Sequence, residues 1–101
     1  LLESDFYPLT PYSLEENIWM AWQYDVPEKG EGLVQAFRRP NSQTESMTFR
    51  LCGLEPQAAY QLADIGGTAL TEMTGLELMN SGLPIILKNK PEVAVIKYQK
   101  R

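Results

Sequence analysis

Residues 27–40, Pro-Glu-Lys-Gly-Glu-Gly-Leu-Val-Gln-Ala-Phe-Arg-Arg-Pro, set a Gly30-Glu31-Gly32 turn directly against a strand that ends in Arg38 and Arg39. Glycine takes positive φ at no steric cost, so this spacing predicts a reversal of the chain there. Upstream, residues 17–26 are rich in aromatic and apolar side chains, and residues 33–39 follow the turn; the two runs predict a hairpin. Beyond it, Met47, Phe49 and Leu51 alternate with Thr48 and Arg50, which gives one face of a strand to a core and the other to water. Gly53-Leu54-Glu55-Pro56 then breaks the chain. Residues 60–65 and 68–73 flank Gly66-Gly67 and predict a second hairpin. Residues 83–88 and 93–98 read as two more strands around Asn89-Lys90-Pro91, where proline cannot donate to a ladder and suits a turn.

One helix interrupts the strands. Thr74 and, three residues on, Glu77 form a capping box, and Gly82 stands where a helix stops, so a helix of one or two turns is expected near residues 75–81. The whole reads as an all-β chain, an antiparallel β-sandwich of Greek-key type with about seven strands. No βαβ alternation and no internal repeat competes with it.

The 101 residues suit one domain, and the apolar and charged fractions of 44% and 22% are those of a globular chain. No apolar run approaches the roughly 20 residues of a membrane span, so no membrane partner is expected. Nine Lys and Arg against thirteen Asp and Glu, for a net charge of −4, leave no basic footprint for nucleic acid. Cys52 stands alone, which excludes an internal disulfide. With no secretory signal at the front, the single cysteine points to the cytoplasm. The chain opens without an initiator Met, which suggests a longer parent, and the short basic tail after the last strand reads as a natural C-terminus.

Reactive chemistry is hard to find. The chain has no histidine, which removes the commonest general base and metal ligand. Glu15 with Glu16, and Glu28 with Glu31, sit among turn signals and read as solvated faces. Neither a Walker lysine nor a dinucleotide fingerprint follows Gly30-Glu31-Gly32, so no cofactor is expected. Arg38 and Arg39 read as partners of carboxylates across strands or at a domain boundary.

Aromatic rings are the positive feature. Residues three apart in a strand point to opposite faces, so Trp19 and Trp22 cannot form one platform, whereas Trp22 and Tyr24 share a face. Rings on such strands are more often core or interdomain contacts than sugar platforms. Asp5-Phe6-Tyr7-Pro8-Leu9-Thr10-Pro11-Tyr12-Ser13 has two prolines and no sustained period, and reads as an extended arm without a strand. Its Phe6, Tyr7 and Tyr12 are expected to pack on a surface. The residues for sugar or interdomain contact are therefore Trp22, Tyr24, Tyr7 and Tyr12.

Residues 5–13 and 27–40, with Trp19-Met20-Ala21-Trp22-Gln23, Gly53-Leu54-Glu55-Pro56 and Thr74-Gly75-Leu76-Glu77-Leu78-Met79, resemble the C-terminal domain of family-36 glycoside hydrolases, the α-galactosidases. Glu55 stands where the family more often has aspartate, and Cys52 where a basic residue is common. The resemblance implies that residues 1–14 are a linker from a catalytic (β/α)8 barrel, absent here, and that residues 15–101 are an accessory sandwich packing on and stabilising it. It also implies a parent that hydrolyses terminal α-galactosides with retention, and family members are often homo-oligomers. The paired carboxylates of such an enzyme stand about 5–5.5 Å apart, on barrel loops. No catalytic residue is carried over to this chain: Asp5, Asp25 and Asp64 match no motif. The alternative implied role is a carbohydrate-binding module that helps hold galactosides on Trp22 and Tyr24. The surface that receives the arm is left open, sandwich or barrel.

Overall fold

The computed structural model describes residues 5–10, 19–38, 45–64, 70–87 and 92–101. Among them run eight strands and one helix: β1 (Asp5–Pro8), β2 (Trp19–Val26), β3 (Glu31–Arg38), β4 (Ser46–Phe49), β5 (Ala59–Asp64), β6 (Leu70–Thr74), α1 (Gly75–Asn80), β7 (Leu83–Ile86) and β8 (Glu92–Lys100). A six-stranded sheet has the order β1-β2-β3-β8-β5-β6, and a two-stranded sheet pairs β4 with β7. Every ladder is antiparallel. The last strand is inserted between β3 and β5, the distant return that Greek-key sandwiches use.

Alternation explains which side faces in. Along β2, Trp19, Ala21, Gln23 and Asp25 are buried, while Met20, Trp22, Tyr24 and Val26 turn the other way. Val34, Ala36, Tyr60, Leu62, Ala94 and Tyr98 extend the buried face across the sheet. The small sheet and helix close over it with Phe49, Leu51, Leu78, Leu83 and Ile85. The rings of Trp19 and Phe49 meet at 6.0 Å, and the Leu51 amide donates to the Leu78 carbonyl at 3.0 Å. Tyr60 meets Tyr98 edge-on at 5.8 Å.

The β2–β3 hairpin turns earlier than the glycines alone suggest. Its turn comprises residues 27–30, and Glu31 and Gly32 already pair with Val26 and Asp25. Pro27 has no N–H for the ladder and so ends β2, after which Gly30 takes φ +63° and the Gly30 amide donates to the Pro27 carbonyl at 3.2 Å. Gly32 serves another purpose: a Cβ there would overlap the Tyr98 hydroxyl and the Tyr24 carbonyl oxygen.

The capping box forms as expected. The Glu77 amide donates to Thr74 Oγ1 at 3.1 Å, and the Thr74 amide donates to Glu77 Oε1 at 3.0 Å. The helix ends at Ser81, and Gly82 follows with φ +95°. Met47, Phe49 and Leu51 do face inward, with Thr48 and Arg50 exposed.

The opening segment differs from expectation. Asp5–Pro8 is a strand, paired with β2 from Asp5 opposite Asp25 to Pro8 opposite Trp22. Its described residues therefore rest on the sandwich. Proline is tolerated because β1 is an edge strand, and the short segment carries too little alternation to announce itself. This strand raises the expected count from seven to eight. The turns at Gly66-Gly67 and Asn89-Lys90-Pro91 lie outside the described residues.

Candidate functional site

The side of the large sheet turned away from the core is built in four rows, set by alternation and register. Met20, Phe37 and Val93 form the first; Pro8, Trp22, Gln35 and Val95 the second. Phe6, Tyr24, Leu33, Lys97 and Ala63 form the third, and Val26, Glu31, Gln99, Gln61 and Glu72 the fourth. The face thus grades from apolar at one end to polar at the other. A sheet face meant for water alternates to polar residues, and the first two rows do not. Their one polar side chain, Gln35, is engaged: its Oε1 accepts the Trp22 indole N–H at 2.5 Å. Val93 remains 56% exposed.

At the polar end the sheet holds an open depression of about 390 Å³, lined by Tyr24, Glu31, Leu33, Gln61, Lys97 and Gln99 among others. The Tyr24 ring, 36% exposed, leans on Phe6 at a centroid distance of 5.2 Å. Among the described residues, no hydrogen bond or ion pair ties down the side chains of Glu31, Gln61, Lys97 or Gln99. The neighbouring charges are paired, Lys100 with Glu55 at 3.2 Å and Arg101 with Glu72.

Behind the depression lies a buried polar cluster. Gln23 Nε2 donates to the Tyr98 hydroxyl at 2.8 Å and to the Cys52 carbonyl at 2.9 Å, while Gln23 Oε1 accepts the Cys52 amide at 2.8 Å. Tyr98 in turn donates to Asp25 Oδ1 at 2.5 Å. Burial pushes the Asp25 carboxyl above the usual carboxylate range; the Tyr98 hydrogen bond opposes this, and Asp5 adds to it. Burial, and donation to Asp25, push the Tyr98 phenol well up, so the proton stays on the phenol. This cluster ties the large sheet to the segment that follows β4. Asp5 and Asp25 are neighbours across β1 and β2, but Asp25 is 3% exposed and held by Tyr98, so the pair offers no two carboxylates to a substrate.

The expected contact residues fall in different places. Trp22 and Tyr24 stand on one face, yet only Tyr24 lines the depression. Tyr7 lies half-buried on the inner side, its hydroxyl near Gly53, where a Cβ would stand 2.9 Å away. Tyr12 and Arg39 lie outside the described residues. Arg38 is 3% exposed, and its Nη1 donates to the Leu87 carbonyl at 2.7 Å, because its position in β3 points inward. Glu31, read as part of a solvated turn, instead opens β3, and Gln61, Lys97 and Gln99 escaped the sequence reading. Alternation puts each outside, but nothing local says that β8 unites β3 with β5. No group of three or more potential metal-ligating side chains occurs among the described residues.

Residues 19–96 match the family model of the glycosyl hydrolase family 36 C-terminal domain. Among solved structures, the galactosidase domain of the α-galactosidase-sucrose kinase AgaSK is similar with a TM-score of 0.74 at 22% identity, over 95% of this chain. The family-36 α-galactosidases AgaA and AgaB from Geobacillus stearothermophilus give TM-scores of 0.72 and 0.70 at 23% and 24% identity, over 97% and 95% of this chain. In each case the chain spans 13% of the relative's length. No curated protein matches the chain.

Proposed function

The chain belongs to the glycosyl hydrolase family 36 C-terminal domain family, and on that premise we propose that it is the non-catalytic accessory domain of an α-galactosidase-like glycoside hydrolase. It packs on a (β/α)8 barrel of the same polypeptide, which carries the paired carboxylates and cleaves terminal α-galactosides with retention. The observation that carries this reading is the apolar end of the outer sheet face, Met20, Phe37 and Val93 beside Trp22 and Val95. An apolar patch of this kind marks an interaction surface. Interdomain contacts bury about 600–1,500 Å². A domain making up 13% of its relatives' length has a large partner available in the same chain.

The parent polypeptide, expressed with and without this domain, tests the reading. Truncation is expected to lower solubility and melting temperature, and Val93→Glu in the intact parent to lower the melting temperature alone. Equal solubility, melting temperature and turnover with and without the domain would sink it.

A further inference from the structure

We propose that the depression on the outer face of the large sheet binds a neutral saccharide ring, which rests its C–H face on Tyr24 and hydrogen-bonds its hydroxyls to Gln61 and Gln99. The volume of about 390 Å³ falls at the lower end of the range for small-molecule sites, and suits one or two sugar rings. Tyr24 supplies an apolar wall whose orientation is set by Phe6 at 5.2 Å, with Leu33 beside it in the same row.

The polar lining selects the chemistry. Gln61 and Gln99 are direct partners across β5 and β8, so two amide groups face the same space from neighbouring strands. Each amide both donates and accepts, as a hydroxyl does, which suits a ligand carrying several hydroxyls. Glu31 adds an acceptor and Lys97 a donor, and the two charges offset each other, so neither an anion nor a cation is favoured. None of these four side chains is engaged elsewhere among the described residues. All of them stand on strands, where the backbone ladder holds their spacing before a ligand arrives. The site occupies the third and fourth rows, next to the two apolar rows of the same face.

The test is amide chemical-shift mapping of the 101-residue chain titrated with galactose, raffinose and, separately, inorganic phosphate. Saturating shifts at millimolar sugar are expected at residues 24, 31, 33, 61, 97 and 99. Tyr24→Ala should weaken binding about tenfold, while Tyr24→Phe, which keeps the ring, should stay within about threefold. Gln61→Ala and Gln99→Ala should each weaken it by a few-fold. A folded chain with no shifts at millimolar sugar would overturn the site. So would shifts centred on Trp22, an unchanged affinity in Tyr24→Ala, or saturation by phosphate in place of the sugars.

Discussion

The Tyr98 hydroxyl stands 2.5 Å from Asp25 Oδ1, so the last strand is tied to the second across the strand between them. The same hydroxyl accepts from Gln23, whose amide also grips both backbone groups of Cys52. A buried network satisfied at every member makes one packing of the segment after β4 against the large sheet much better than its neighbours.

Tyr98→Phe removes the donor and leaves a buried carboxylate and a buried glutamine amide short of a partner. A loss of about 1–3 kcal/mol is expected, read as a lower urea midpoint at unchanged slope. An unchanged midpoint would mean that the network contributes nothing net.

Asp25 gives the molecule a defined response to pH. Its folded-state pKa is raised, mainly by burial. The stability it contributes is therefore fully present below the unfolded carboxylate value near pH 4, and is lost as pH rises through the folded value. Asp25→Asn removes this group's dependence. Denaturation of both proteins between pH 4 and pH 7 should show the variant gaining on the wild type as pH rises. A difference that stays constant would contradict the burial argument.

Gly32→Ala drives a methyl group into the Tyr98 hydroxyl and the Tyr24 carbonyl. Since one neighbour is backbone, the strands must part or the phenol must leave Asp25. A cost of about 1–3 kcal/mol is expected from thermal or urea unfolding. A neutral substitution would show that the hairpin yields more readily than its packing implies.

Thr74→Ala removes the hydroxyl that caps α1 and half of its reciprocal hydrogen bonding with Glu77. Caps of this kind contribute about 0.5–2 kcal/mol. The helix presents Leu78 to the core, so the loss should appear as lower global stability. Amide exchange confined to a faster α1, at an unchanged midpoint, would mean that the helix frays without consequence for the sheets.

Much of this architecture was legible locally. The period-two runs, the Thr74–Glu77 box and the stop at Gly82 each rest on side chains within a few residues of one another, and the structure keeps them. Trp22 and Tyr24 also share a face, as any two residues two apart in a strand must. The first strand was not legible, because Asp5–Pro8 has no alternation and forms only by pairing with a strand eleven or more residues away. The burial of Arg38 was not legible for a similar reason: its charge suggests a carboxylate partner, and only its parity in β3 directs it inward to the Leu87 carbonyl.

By itself, then, the sequence determined seven of the eight strands, the reversal at Gly30 and the helix, together with the family that its motifs resemble, since these depend on dihedral preference and short-range hydrogen bonding. Only the tertiary structure decided that β8 lies between β3 and β5. That placement brings Tyr98 to Asp25 and sets Gln61 and Gln99 beside Tyr24 around one depression. Register between distant strands is a property of the whole packed core, in which each buried side chain restricts its neighbours, and no local window of the chain contains it.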